Sequence, residues 1–220
     1  MPGRHALIRL ISIILLLSAS PRTLAADVTK DDLKTIEQKL QSRDAFEVTF
    51  SQIIKTGLRK RESSSRGRAV FGRPNLFRWI LEYPTKQEMV FNGQHLVQYD
   101  VDAKAATRLA PTTDKRRELE EVIAAATSVE VLLMKYDLEK SEKEPSGLIV
   151  LHLKPKHPEQ GIKGIVLKVS TVQNFVEVVK LDFSNGSTNT ITFANPQPVR
   201  RVASTFEFSA PAGVRMSDVR

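Results

Sequence analysis

Apolar and polar residues alternate along most of this chain, and that period of two predicts strands. Phe46, Val48 and Phe50 alternate with Glu47 and Thr49, so a strand with one buried face starts at Ala45. Residues 67–72 give another short strand. Over residues 76–83, Phe77, Trp79, Leu81 and Tyr83 share one face. Tyr83-Pro84-Thr85-Lys86 then makes a turn with proline at its second position. Residues 87–91 and 94–100 flank Asn92-Gly93, a strong short-hairpin signal. A weaker strand covers 103–109. Alternation resumes over 136–140, 147–154, 162–170, 175–184, 189–194 and 204–208. Two registers compete at Asn185-Gly186. A two-residue turn sets Leu181 opposite Thr190, whereas a five-residue loop over 184–188 sets Leu181 opposite Ile191 and Val179 opposite Phe193. The apolar match favours the longer loop, because a one-residue slip reverses the faces.

Helical spacing interrupts this pattern twice. Leu33, Ile36 and Leu40 follow Thr29, a candidate N-cap with Asp32 three residues on, and predict an amphipathic helix over residues 29–42. In the middle, residues 114–134 read as one helix, capped by Asp114, and then a second short helix or bend. Leu119, Val122, Ile123 and Ala126 form its apolar stripe. Residues 55–68, rich in Arg, Lys and Ser, predict a solvated hairpin loop. Eleven or twelve strands with few helices suggest one strongly curved antiparallel sheet or incomplete barrel. A barrel that wide has room for a ligand inside, and the helices have apolar stripes to bury at its mouth.

The N-terminus obeys neither period. Arg4 and Arg9 precede an apolar run over residues 10–17, Pro21 breaks the pattern, and small residues follow up to Ala25-Ala26. This predicts a cleavable secretory signal over residues 1–26 and one domain over 27–220. The run is too short to span a bilayer. The signal takes three arginines and no acids with it, so the formal net charge falls from +8 to +5. A basic exported chain suits an anionic lipid surface or an acidic protein partner better than nucleic acid. No aromatic interleaves Arg59-Lys60-Arg61 as a single-strand platform requires. The chain has no cysteine, so its core holds the fold without disulfides.

Candidate chemistry is sparse. His95, His152 and His157 lie on strands or loops without helical metal-motif spacing, and Asp100 and Asp102 suit a turn better than a calcium site. No Gly-x-Ser-x-Gly elbow exists. The reading is of a non-enzyme with no metal and no cofactor.

One set of motifs points elsewhere. Arg73-Pro74-Asn75-Leu76-Phe77-Arg78-Trp79, the early Phe46/Phe50/Gln52 spacing, the 87–99 block ending in Tyr99-Asp100, Leu153-Lys154-Pro155-Lys156, and Phe206-Glu207-Phe208 followed by Pro211 and Gly213-Val214 resemble the LolA family. These are periplasmic carriers of outer-membrane lipoproteins in Gram-negative bacteria. Nearly the whole mature chain is covered in the family's order, although residues 55–68 and 114–134 depart from it. The resemblance implies an unclosed antiparallel barrel of about 11 strands, with an N-terminal helix and a helical lid over an apolar cavity. It implies a monomeric chaperone that takes lipoproteins from an inner-membrane ABC transporter to an outer-membrane receptor. Arg73 resembles the family's lid-holding arginine, with donors for carbonyls on the helical insert. Phe46, Phe50, Phe77, Trp79, Leu81, Met89 and Phe91 are the expected acyl-chain lining. The alternatives are a LolA-like carrier or sensor of another envelope lipid or glycolipid, and a secreted hydrolase with a lipid pocket.

Overall fold

The computed structural model describes residues 28–57, 61–109, 114–157 and 161–219. The expected signal segment lies outside these residues. Twelve strands form one sheet in the order β12-β6-β5-β4-β3-β2-β1-β11-β10-β9-β8-β7. Their ranges are β1 Ala45–Lys55, β2 Glu62–Gly72, β3 Leu76–Tyr83, β4 Gln87–Phe91, β5 Leu96–Asp100 and β6 Ala105–Leu109 in the first half. The second half has β7 Tyr136–Lys143, β8 Leu148–Pro155, β9 Ile162–Ser170, β10 Phe175–Phe183, β11 Thr188–Pro198 and β12 Arg215–Val219. Neighbours are antiparallel except β12 and β6, which run parallel. β7 and β12 end the order without pairing to each other, so the barrel is not closed.

Three helices cover the inner face: α1 Lys30–Gln41, α2 Asp114–Thr127 and α3 Val129–Lys135. α1 begins as its sequence dictates. The Thr29 hydroxyl accepts from Asp32 N, and the Asp32 carboxylate accepts from Thr29 N at 2.8 Å, a reciprocal capping box. Asp32 also meets Lys143 Nζ at 2.9 Å, and these hydrogen bonds, Lys143 first, lower its pKa to about 2. The helical insert breaks at Ser128, whose hydroxyl accepts from Val131 N and caps α3. Capping by Asp114 concerns a side chain outside those described.

The apolar sets of both sheet halves and all three helices join in a single core. The outer face carries two small ones, one of them around Phe206. Phe206 packs there with Ala45 and Val70, and Gly72 lies flat beneath its ring. A Cβ on Gly72 would come within 2.5 Å of that ring.

Four sequence expectations need correction. The 55–68 loop is mostly strand: Ser63, Ser64 and Ser65 pair with Ile54, Ile53 and Gln52. Both faces are exposed there, so no apolar alternation announced the ladder. The Asn92-Gly93 hairpin resumes two residues later than expected, with Phe91 opposite Leu96 rather than Gln94. The Asn92 side chain accepts from both Gln94 N and His95 N and holds a four-residue loop. Four residues, 184–187, separate β10 from β11 in place of the expected five, and Val179 faces Ile191 and Leu181 faces Asn189, a shift of two. Both registers keep the same residues inside. Residues 204–208 form no strand. A 3-10 turn, Ala203–Phe206, stands there, tied to β3 by Arg78 donating to Thr205 O at 2.9 Å.

Candidate functional site

β1 to β4 supply an aromatic wall because their inward positions recur every second residue. Phe46 and Phe50 from β1, Phe71 from β2, Phe77 and Trp79 from β3 and Phe91 from β4 are all buried. Phe193 on β11 joins them. The rings interlock: Phe50 and Trp79 lie 3.8 Å apart between centroids, Phe46 and Phe71 5.3 Å, and Phe71 meets Phe193 edge-on at 5.6 Å. Edge-on and offset contacts of this kind are the favourable aromatic geometries. Met89 extends the wall, and Leu81 packs against it half-buried. Phe46, Phe50, Phe77, Trp79, Leu81, Met89 and Phe91 therefore stand on one continuous surface. Phe71 and Phe193 belong to it as well, although only strand alternation marks them in the sequence.

Across the sheet, β8 to β10 present an aliphatic wall. Leu151, Leu167, Val179 and Leu181 have no exposed surface. The helices close the space between. Val122, Ile123, Ala125 and Ala126 of α2 and Val129 and Leu132 of α3 are buried in the same core. The residues of both walls and of the helices are buried in one continuous cluster.

Polar contacts attach the helices to the sheet, and sequence reasoning missed most of them. Glu37 on α1 is buried. Its carboxylate accepts from Ser128 Oγ and Val129 N at 2.8 Å and from Glu130 N at 3.1 Å, capping α3 across the core. A carboxylate at a helix N-terminus satisfies free N–H groups and meets the positive end of the dipole. On α2, Glu118 accepts from Asn189 Nδ2 at 2.7 Å. Asn189 in turn accepts from Gln52, whose side-chain oxygen accepts from Ser65, so a hydrogen-bonded chain crosses from α2 to β2. Arg116 on α2 donates to Gln94 O at 3.3 Å and lies 5.0 Å over the Phe91 ring. Lys156 donates to Leu133 O at the end of α3. A glutamate on a helix, or an asparagine in a strand, ordinarily faces water, so no pattern singled these residues out.

Arg73 stands at the β2–β3 turn, but its donors do not go to the helical insert. Nη2 donates to Leu40 O at 2.9 Å and Nε to Arg43 O at 3.1 Å, both at the C-terminal end of α1. The last carbonyls of a helix lack intrahelical partners, so they are ready acceptors for a cation. α1 is anchored on the opposite side too. Lys39 donates to Thr171 O and Arg43 to Gln173 O and Asn174 O, all in the β9–β10 turn.

The other singled-out residues stay apart. His95 lies in the β4–β5 loop, His152 meets Glu142 at 3.7 Å, and His157 follows β8. Asp100 accepts from Ala103 N at 2.9 Å in a turn. Among the described residues no group of three acidic, histidine or cysteine side chains could hold a metal ion. No described helix is long and apolar enough to cross a membrane.

Comparison with known proteins agrees with this architecture. An outer-membrane lipoprotein carrier protein of Pseudomonas fluorescens strain Pf0-1 is 27% identical over 192 residues, 87% of this chain and 90% of that one. One from Legionella pneumophila strain Lens is 28% identical over 182 residues, 82% and 87% of the two chains. Among solved structures, an uncharacterized conserved protein from Thermus thermophilus shares the fold with a TM-score of 0.55 at 11% identity, covering 86% of this chain and 98% of that one. The family model for outer membrane lipoprotein carrier protein LolA matches residues 41–209, which hold β1 to β11 with α2 and α3, and the chain belongs to the LolA family.

Proposed function

We propose that this protein is a periplasmic chaperone for lipoproteins. It takes them from an inner-membrane ABC transporter and delivers them to an outer-membrane receptor, holding their acyl chains against the aromatic wall. The observation that carries this reading is the continuous apolar inner face covered by separate helices. Each methylene transferred from water favours an apolar site by about 0.8 kcal/mol, so an acyl chain needs a lining of this kind to cross an aqueous space. Release needs the opposite bias. The wall's rings pack on one another and on the helices, so the empty state competes with loading and limits how tightly cargo is held. Carriage makes and breaks no covalent bond, in keeping with scattered histidines.

Depletion in the native cell tests this reading. Mature lipoproteins should accumulate at the inner membrane, and unchanged sorting would overturn it. Mass spectrometry of co-purified lipid separates lipoprotein cargo from another envelope lipid.

A further inference from the structure

Arg73 holds α1, and α2 is held to the sheet by other means. The buried face of α2 is mostly small: Ala124, Ala125 and Ala126 stand beside Val122 and Ile123. Hydrophobic attraction scales with the apolar area removed from water, and alanine contributes little of it. A polar contact on this helix therefore carries more weight than it would on a leucine-rich one.

Asn189, near the start of β11, makes such a contact. The inward positions of β11 are Asn189, Ile191 and Phe193, and all three are buried. Asn189 is 2% exposed and stands where an aliphatic side chain would pack without needing a partner. Its hydrogen bonds run in one direction. Ser65 Oγ donates to Gln52 Oε1 at 3.1 Å, Gln52 Nε2 to Asn189 Oδ1 at 2.9 Å, and Asn189 Nδ2 to Glu118 Oε1 at 2.7 Å. Every donor points toward the Glu118 carboxylate. Bonds aligned head to tail polarise one another, and a bond to a charged acceptor is roughly twice as strong as a neutral one. β1, β2 and β11 are already joined by backbone pairing. Only the last link ties the sheet to an element without a ladder. The helical insert also breaks directly after α2, at Ser128, and Glu37 holds α3 beyond the break.

We propose that Glu118 and Asn189 are the latch that keeps α2 shut over the interior of the empty protein and that parts when cargo loads. This rests on the carrier reading above. Both are positioning residues, and neither needs to touch cargo. With α2 down, their bond lies among buried side chains and is strong; once α2 lifts, water satisfies both groups. An acyl chain must offset that loss on entry, and the bond re-forms as the chain leaves, which favours release.

The chain has no cysteine, so one introduced thiol reports opening without background. Ala125→Cys places it on the buried face of α2, and Val169→Cys places it beneath α1 instead. At low reagent concentration the labelling rate follows the open fraction. Glu118→Ala should speed labelling at position 125 by about tenfold or more, as expected when a hydrogen bond to a charged group is lost. Position 169 should label at its former rate. Glu118→Gln keeps an acceptor and should recover part of the protection. Asn189→Ala should match Glu118→Ala, and the double variant should be no faster than either, because both remove one bond. A diacylated lipopeptide should bind Glu118→Ala more tightly than wild type by a similar factor. Unchanged labelling at position 125 in Glu118→Ala, an equal rise at position 169, additive effects in the double variant, or lipopeptide affinity equal to wild type would overturn the latch. Should Asn189→Ala fail to fold, the two Glu118 variants decide alone. Labelling needs no cargo, so a lipopeptide that binds no form of the protein defeats the carrier reading whatever the thiols show.

Discussion

The two walls of the interior are built from different materials. One wall, β1 to β4, is aromatic and includes Phe50, Phe77 and Trp79. The other, β8 to β10, is aliphatic and buried without remainder, as at Leu151, Leu167 and Leu181. α1 lies over the aliphatic wall, beside Ile149 and Val169, and its end is pinned to the β9–β10 turn. Branched aliphatic side chains at native density hold one packing, and a lost methylene is felt at once. Flat rings sustain several edge and face contacts with neighbours or with an acyl chain. Under the proposed function, the contrast puts stability in the aliphatic wall and cargo against the aromatic one. Arg73 bridges them, since it leaves the β2–β3 turn and grips the end of the helix seated on the other side.

The largest effect should come from the aliphatic wall. Leu167→Ala should destabilise the fold by about 2–5 kcal/mol in chemical denaturation, the cost of a buried leucine plus its cavity. A loss well under 1 kcal/mol would mean that this wall collapses easily and the contrast is false. Next is the joint between α1 and α3. Glu37→Ala leaves the N–H groups of Val129 and Glu130 without their acceptor, and should cost about 1–3 kcal/mol. Hydrogen exchange should rise first at α3; equal protection there would show that packing alone holds the joint.

Arg73→Leu removes two donors from the end of α1, each worth about 0.5–1.5 kcal/mol net, and keeps an apolar stem. The closed empty state weakens, so the cargo-bound fraction should rise and transfer to an acceptor should slow. A folded variant with wild-type transfer would detach Arg73 from closure. The smallest effect concerns pH. Asp32 has its pKa lowered from 3.8 to about 2 by hydrogen bonds from Lys143 and Thr29. A lowered carboxylate contributes above its ordinary pKa and loses that contribution as pH falls through the folded value. The melting temperature of wild type should therefore fall more steeply between about pH 4 and pH 2 than that of Asp32→Asn, and parallel curves would remove the capping box from the pH response.

Wherever burial sets the period, the sequence shows the element. β3, β4 and β9 follow from their apolar residues, and Trp79 lies on the wall that alternation assigned to it. Legibility stops where burial does. β12 is exposed along its whole length and is held to β6 by backbone pairing, so Arg215–Val219 carries no pattern at all. Polar partners across the fold are equally silent. Nothing local to Glu37 announces that α3 will bring three donors to it, and nothing near Asn189 announces Glu118. Arg73 was visible from its motif, but its acceptors were not, because they depend on where the end of α1 comes to rest.

Trp79 is the chain's only tryptophan and stands in the aromatic wall, so its emission reports on the interior directly. The decisive measurement titrates the protein with a lipopeptide whose acyl chains are brominated midway, beside an identical unbrominated one. Loading against the aromatic wall predicts that bromine quenches Trp79 well beyond the control, at equal occupancy. Saturable binding with the same Trp79 emission for both ligands would place the acyl chains elsewhere and contradict the assignment.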